Sequence, residues 1–242
     1  MTHTSLLPTK KSVAHKDGSH EPLLIYGPPK IGKSSFCAGI PNAVFFATEP
    51  GINFLEVFKV EIDCWNTFLA ACGEIRDSNP RKFTTIVIDT LDQAYRMVCE
   101  HIAKEAGVKF INDLEYGKGY ALANAELQRV LLGMSQIGFS IVMTSHSQAV
   151  ERKGLGGVVT TRIVPTMPEK ARQLVVGFVS YVLYADNHEE VIGDKIESRR
   201  VIHTSPSQYY EAGYKTRPGV VMPEIVDLSW VAFLKATKGE TV

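Results

Sequence analysis

Four residues in the stretch GPPKIGKS have the types and spacing needed to bind a phosphate chain: Gly27, Gly32, Lys33 and Ser34. They fit the pattern G-x-x-x-x-G-K-[ST], in which glycines let backbone N–H groups turn inward around phosphate oxygens. In that pattern the lysine reaches the β- and γ-phosphates of a nucleotide, and the hydroxyl ligates Mg²⁺. The predicted nucleotide-binding loop comprises Gly27, Pro28, Pro29, Lys30, Ile31, Gly32, Lys33, Ser34 and Ser35.

The residues around this stretch favour a phosphate loop over a Gly/Pro-rich turn. The apolar run PLLIY (22–26) predicts a buried strand before it, and SSFCAGI (34–40) predicts a short helix at its end. A strand before the loop and a helix after it are the context that the pattern requires. The positive end of the helix dipole would then face the phosphates.

A carboxylate for the metal is predicted at Asp89, which ends the β-branched run TTIVIDT (84–90). With the phosphate loop present, we expect Asp89 to hold Mg²⁺ through Ser34 or through water. The alternative is a helix N-cap, because a helix follows directly. Asp92, one turn later, fits a charge at a helix N-terminus better than a metal ligand.

Nucleotide hydrolysis also needs a group that positions or deprotonates water. Thr90 stands directly after Asp89, so the second acid must come from elsewhere, and Glu49 in FFATEPG is the candidate. A loop carboxylate without a catalytic role is the alternative. His146, in the polar cluster TSHSQ after the strand FSIVMTS (139–145), could sense the γ-phosphate or be structural. The predicted catalytic residues are therefore Lys33, Glu49 and His146.

The elements that must position these residues alternate between strands and helices. Apolar strands without polar alternation, interleaved with helices, predict an α/β fold with a mostly parallel sheet covered on both faces. Two later strands, 178–185 and 198–204, are expected to form an antiparallel hairpin at its edge, joined by the polar DNHEEVIGDKIE. The other predicted strands are 22–26, 43–48, 84–90 and 139–145, and the predicted helices are 34–40, 64–77, 91–107, 120–138 and 168–177.

Length and composition limit the function classes. The 242 residues fit a polar, flexible arm at 1–21 and one domain at 22–242. The formal net charge of zero means that nucleic-acid binding must depend on local patches. We expect a soluble cytoplasmic protein, since there is no membrane-spanning apolar run and no signal-peptide pattern. The cysteines, expected in the core, are Cys37, Cys64, Cys72 and Cys99.

The order of these motifs resembles the RecA/RadA-type core ATPases. More specifically, YGPPKIGKSSF, FFATEPG, YGKGYALANAELQRVL and VPTMPEKARQLVVG look like the phage-encoded, AAA-type P-loop ATP-binding proteins, some of which are single-strand-annealing recombinases. The resemblance covers residues 22–223. It implies ATP binding at the phosphate loop, Mg²⁺ at Asp89, a water-activating role for Glu49, and the cytoplasm of a bacterial host.

The resemblance also implies DNA-binding segments at 112–120 and 147–167. In the first, Lys118 lies between Tyr116 and Tyr120, a pattern suited to stacking bases and pairing with phosphate. The stretch 147–176 carries five basic and two acidic residues, a net +3, and its glycines predict a flexible loop. The alternatives are a solvated basic face and tyrosines that pack on the next helix. The DNA candidates are Tyr116, Lys118, Tyr120, Arg152, Lys153 and Arg162.

Self-association is a further implication, because RecA-like sites are usually completed by a neighbouring subunit in a ring or filament. FLAA (68–71) resembles the short F-x-x-A contact of such polymers, although the same spacing in a helix is typical of a buried face. A single-strand-binding protein is a further expected partner. The basic residues expected to act on a neighbour are Arg199, Arg200, Lys215 and Arg217.

Three functions follow from these patterns. The first is a DNA-stimulated ATPase of homologous recombination, acting in annealing or strand exchange. The second is a nucleotide-dependent switch or loader for a protein partner. The third, a small-molecule kinase, is disfavoured because no compact arginine-rich lid is visible in the sequence.

Overall fold

The computed structural model describes residues 9–78, 81–153, 157, 159–193 and 195–241. Ten strands form the central sheet: β1 Leu23–Gly27, β2 Ala43–Ala47, β3 Phe58–Glu61, β4 Thr85–Asp89, β5 Ser140–Lys153, β6 Val159–Pro165, β7 Tyr181–Ile192, β8 Lys195–His203, β9 Gly213–Tyr214 and β10 Ile225–Asp227. Six α-helices accompany them: α1 Lys33–Ala38, α2 Trp65–Asp77, α3 Leu91–Glu105, α4 Lys118–Gln136, α5 Glu169–Phe178 and α6 Trp230–Lys238.

The sheet confirms the predicted α/β class. Its strand order is β10-β8-β7-β1-β5-β4-β2-β3, and the pairs from β7 to β3 are parallel. β8 is antiparallel to β7, and β10 is antiparallel to β8, which makes the expected antiparallel edge. The carboxyl ends of β1, β2 and β4 lie at one edge, beside residues 144–146 in the interior of β5, and ligand sites form at this edge in parallel sheets.

Helices cover both faces of the sheet. Alternate residues of β1 point to opposite sides, so that Leu24 and Tyr26 join one core cluster while Leu23 and Ile25 join the other. The first cluster packs under α2, α3, α4 and α5, and the second under α1 and α6. Two buried layers explain why these strands are continuously apolar.

Two predicted connections are strands instead. The loop predicted at 147–167 is mostly a β-hairpin, in which Ser147–Lys153 of β5 pair with Val159–Pro165 of β6. The polar link predicted at 186–197 continues β7 and β8. Both predictions were wrong for the same reason: neighbouring strands satisfy each other's backbone groups in an antiparallel ladder, whatever the polarity of the side chains. Residues 154–156 and 158 lie outside the described residues.

The terminal elements carry little sequence pattern. The described part of the predicted arm ends in a 3-10 turn at Gly18–His20, where the Gly18 N–H donates to Thr237 Oγ1 of α6 (3.2 Å). In α6, the Ser229 hydroxyl caps the helix by accepting the Ala232 N–H (3.1 Å). The division into an arm and one ATPase domain stays a prediction. Within the described part of the chain, no helix combines the length and hydropathy needed to cross a bilayer.

The observed burial corrects the prediction that all the cysteines lie in the core, and it chooses between the two interpretations of FLAA. Cys37 and Cys72 are buried as expected and Cys99 is half-buried, but Cys64 is exposed at the N-cap of α2. Phe68 and Ala71 of FLAA are buried, and the Phe68 ring packs on Trp65 and Phe46. The spacing therefore marks the core face of α2.

We expect Phe68→Ala to destabilise the fold by about 3–5 kcal/mol, because it removes a buried aromatic ring. The exposed neighbour Asn66 on the same helix supplies a control, since Asn66→Ala should change the free energy of unfolding by less than about 0.5 kcal/mol. Denaturant unfolding measures both. A Phe68→Ala protein of unchanged stability that no longer self-associates would instead identify FLAA as a subunit contact.

Candidate functional site

The phosphate loop closes tightly against the sheet. An ideal Cβ on Gly27 would lie 2.3 Å from the Ala185 carbonyl oxygen of β7, so only glycine allows the two strands this approach. Gly32, at the N-cap of α1, has φ +118°, a conformation that side chains disfavour. Glycine is therefore required at the two positions for different reasons: close packing at Gly27 and backbone conformation at Gly32.

Lys33 is held inside the loop. Its side chain is buried, and Nζ donates to the carbonyl oxygens of Gly27 and Pro28 (2.9 Å each). Burial lowers the pKa of Lys33, while the Asp89 carboxylate acts in the opposite sense. A buried ammonium this close to Asp89 is suited to an additional anionic partner.

Asp89 is fixed from two neighbouring elements. Its Oδ2 accepts the Ser34 hydroxyl (2.7 Å), and its Oδ1 accepts the Thr144 hydroxyl of β5. Ser34 and Asp89, predicted to share Mg²⁺, are thus in direct contact. The role of Thr144, which orients Asp89, was missed by the sequence analysis, although the polar end of this strand was the available signal.

Glu49 is positioned by the end of β2. The preceding Thr48 exchanges two hydrogen bonds with Thr90, donating its hydroxyl to the Thr90 carbonyl and accepting the Thr90 N–H (2.8 Å each). This ties the ends of β2 and β4 together and directs Glu49 toward His146, whose Nε2 lies 3.3 Å from Glu49 Oε1. The His146 Nδ1 is buried without a hydrogen-bond partner among the described residues.

Asp92 holds His146 from the other side. Its Oδ2 accepts the His146 backbone N–H (2.7 Å), and its Oδ1 accepts the Ser145 hydroxyl (2.6 Å). Burial raises the pKa of Asp92 to about 6, and these hydrogen bonds oppose the shift. The expectation of a simple helix-terminal charge was therefore incomplete, because Asp92 joins the start of α3 to the end of β5.

One cavity of about 460 Å³ is lined by Lys33, Ser34, Glu49, Asp89 and His146. The side chain of Phe54 at its wall is 100% exposed, and no motif pointed to that residue. The loop residues Pro28 and Ile31 do not line the cavity, since Pro28 contributes a carbonyl to Lys33 and Ile31 is in the core. Its other lining residues include Pro29, Lys30, Gly32, Ser35 and Arg200.

The residues fit a magnesium nucleotide. The phosphate loop supplies the buried ammonium of Lys33. Ser34 and Asp89 supply the hard oxygen ligands that Mg²⁺ prefers. No group of three or more His, Cys, Asp or Glu side chains in the described ranges could hold a metal by itself. Mg²⁺ commonly binds through one or two carboxylates and the phosphates of its nucleotide, which matches this donor set.

The four predicted trans-acting residues separate in the structure. Arg200 lines the nucleotide cavity of its own chain, whereas Arg199 Nη1 pairs with Asp227 Oδ1 (2.6 Å). Lys215 and Arg217 line another cavity beside Tyr181, which is at the amino end of β7 and therefore at the opposite edge of the sheet from the phosphate loop.

The two predicted DNA segments meet at a second cavity, of about 420 Å³. Asn112 and Tyr120 of the first segment and Thr166 and Met167 of the second line it, with Asp92 beside them. Its wall also includes the aromatic residues Tyr95 and Phe110 and the basic residues Arg96 and Lys109.

The remaining DNA candidates differ in exposure. Tyr116 is 94% exposed with φ +56°, and Lys118 and Arg152 are exposed. Arg162 is half-buried and donates Nη2 to the Tyr210 carbonyl (3.3 Å), so this side chain turns toward the protein. The side chain of Lys153 lies outside the described residues.

Comparison with known proteins supports a P-loop protein. The family model described as an AAA domain matches residues 21–216, most of the chain. Among solved structures, the crystal structure of flagellar accessory protein FlaH from Methanocaldococcus jannaschii covers 86% of this chain and 84% of its own, with 9% identity and a TM-score of 0.43. That likeness is too distant to bear on function. No curated protein matches the sequence.

Asp92→Asn tests the buried carboxyl group. Because the pKa of Asp92 is raised to about 6 in the fold, ionisation costs stability as the pH rises from about 4 to about 6. Asparagine cannot ionise, and it can still accept the His146 N–H while donating to Ser145 Oγ. We subtract the unfolding free energy of the unaltered protein from that of the variant. We expect this difference to be about 2–3 kcal/mol larger at pH 7.5 than at pH 4. Denaturant melts at both pH values measure it, and a difference independent of pH would contradict the raised pKa.

Proposed function

Since the chain belongs to the AAA domain family, a family of P-loop proteins, we propose that it hydrolyses Mg-ATP and binds single-stranded DNA in its ATP-bound form. The observation that carries the proposal is the position of Asp92. This carboxylate lies beside the cavity between the two predicted DNA segments, and it also fixes His146 next to Glu49. One side chain thereby joins the candidate DNA site to the candidate hydrolytic site.

In the proposed hydrolysis, Glu49 accepts a proton from water as the water oxygen attacks the γ-phosphorus. The bond from that phosphorus to the β–γ bridging oxygen breaks, which releases ADP and phosphate. His146 Nε2, 3.3 Å from Glu49 Oε1, holds the carboxylate in place. Lys33 would donate to the phosphates, and Ser34 and Asp89 would hold Mg²⁺. When bound, Mg²⁺ would neutralise charge on the phosphates.

Single-stranded DNA is favoured as the ligand of the second cavity by its chemistry. Phe110, which is exposed, and Tyr120, which is half-buried, offer aromatic surfaces for unpaired bases, and Lys109 offers a charge for phosphate, whereas Arg96 pairs with Glu100 of the same cavity (3.7 Å). Tyr116, which precedes Tyr120 in the first predicted DNA segment, adds an almost fully exposed aromatic residue. Because the cavity also contains Asp92 and Glu100, the proposal depends on base stacking at this cavity and on the basic residues of the two segments beside it, not on a net charge of the cavity.

The resemblance to phage ATP-binding proteins is the reason for proposing a role in homologous recombination, as annealing or strand exchange. On this proposal, ATP binding changes the Glu49–His146 contact, and Asp92 passes the change to the DNA segments. Hydrolysis then releases the strand. A ring or filament of identical subunits and a single-strand-binding protein are the proposed partners.

A nucleotide switch acting on a protein partner is the second candidate. Val191 of β7 and Ile196 of β8 stand opposite each other near the end of their hairpin and are 74% and 71% exposed. An exposed apolar pair suits protein contact better than DNA contact. ATP-dependent binding of a protein, with no affinity for single strands, would favour this candidate.

Glu49→Gln should reduce ATP turnover by about a hundredfold or more, because the amide cannot accept the proton of water. Nucleotide binding should persist, since the phosphate loop and Asp89 are unchanged. Phosphate release measures turnover, and a fluorescent ATP analogue measures affinity. Unchanged turnover would remove Glu49 from the mechanism.

Single-strand affinity should depend on ATP and fall with salt, as expected for phosphate contacts. We expect Tyr116→Ala to weaken binding about tenfold or more, because it removes one stacking surface. Arg152→Ala should reduce both the affinity and its dependence on salt. Arg76→Ala is the charge-matched control, since Arg76 is exposed on α2 and pairs with its neighbour Asp77 (2.7 Å). Fluorescence anisotropy of a labelled oligonucleotide with and without ATP tests these expectations, and affinity equal in all variants would exclude both segments.

A further inference from the structure

Arg200 reaches the nucleotide cavity of its own chain. An ideal Cβ on Gly32 would lie 3.7 Å from Arg200 Nη1, so the guanidinium is beside the N-cap residue of α1. The resemblance to RecA-like ATPases led us to expect that such a residue would act on a neighbouring subunit. The structure instead brings it to the phosphate loop within one subunit.

The sheet fixes this placement. Arg200 of β8 stands opposite Asn187 of β7, two positions beyond the pair Ala185–Ile202, so these side chains share one face of the hairpin. The Ala185 carbonyl is the group packed against Gly27. β7 in turn pairs with β1, the strand that leads into the phosphate loop. The alternation of β8 therefore directs Arg200 toward the loop and Arg199 to the other face.

The two adjacent arginines differ in their charge partners. Arg199 forms an ion pair with Asp227. Among the residues that the structure describes, none forms an ion pair or a side-chain hydrogen bond with Arg200. An exposed guanidinium without a carboxylate partner, at the rim of a cavity that also contains Lys30 and Lys33, is suited to an anionic ligand.

We infer that Arg200 is an intrachain ligand of the nucleotide's phosphate chain, supplied by the β7–β8 hairpin to the site of the same subunit. This inference rests on the proposed ATP binding and deepens it. The planar guanidinium can donate two parallel hydrogen bonds to phosphate oxygens, which an ammonium cannot match. Each subunit then has a third cationic side chain at its nucleotide site, in addition to Lys30 and Lys33, without help from a neighbour.

Matched substitutions at the two arginines test the phosphate contact. Arg200→Ala should weaken ATP and ADP binding about tenfold or more, as expected for loss of a charged hydrogen bond, while leaving adenosine binding unchanged. Arg200→Lys should recover part of the affinity. Arg199→Ala, the control, should bind ATP within about twofold of the unaltered protein, because its exposed ion pair contributes little. Thermal unfolding without nucleotide checks that each variant folds.

Mixing two variants with weakened nucleotide binding, at an ATP concentration too low to saturate Arg200→Ala, separates an intrachain from an intersubunit contact. Lys33→Ala retains Arg200 but lacks the phosphate-loop lysine, and Arg200→Ala retains the lysine. For an intrachain ligand, the mixture should show no more ATP hydrolysis than the two proteins measured separately. The affinity lost in Arg200→Ala should also be the same at every protein concentration.

The outcomes that overturn the inference are distinct from failure of the proposed function. Recovery of ATP hydrolysis in the mixture would assign Arg200 to a neighbouring site. Equal ATP affinity in Arg200→Ala and the unaltered protein would remove the contact, and an equal loss of adenosine affinity would place it on the base or ribose. If the unaltered protein itself bound no ATP, both this inference and the proposed ATPase function would be wrong.

Discussion

The pairing of β1 with β5 on one side and β7 on the other is the constraint on which the rest of the site depends. In this register Gly27 stands opposite His146, and Tyr26 stands opposite Tyr184. The strand that ends in the phosphate loop is therefore held between two longer strands that continue past it. Because β7 passes so close to Gly27, the position has no space for a side chain, and the loop begins at a fixed point.

Buried charges at this edge of the sheet are stabilised by hydrogen bonds from neighbouring strands. Asp89 accepts hydroxyl groups from α1 and β5, and Asp92 accepts a hydroxyl and a backbone N–H from β5. A buried carboxylate without such donors would cost several kcal/mol. The polar segment Thr144 to His146, inside β5, thus stabilises both aspartates and brings His146 to Glu49. One short segment therefore combines structural roles with the proposed catalytic role of His146.

The two long hairpins extend the site in different directions. The β5–β6 hairpin leads from His146 toward the cavity between the predicted DNA segments, whereas the β7–β8 hairpin brings Arg200 to the phosphate loop. Both hairpins begin in strands that pair with β1. The elements on both sides of the nucleotide cavity are therefore anchored to the strand that leads into the phosphate loop.

The sequence by itself determined the features that depend on local spacing. The phosphate loop, Asp89, four of the parallel strands and the helices from α1 to α5 follow from motif and periodicity, because their signals lie within one short segment. Only the tertiary structure decided that Asp92 holds His146, that Phe68 is in the core, and that Arg199 and Arg200 have different partners. It also turned the expected loop at 147–167 and the polar link at 186–197 into strands. The physical reason is that pairing between distant segments selects which side chains meet, and neighbouring strands satisfy backbone groups that a sequence pattern assigns to loops.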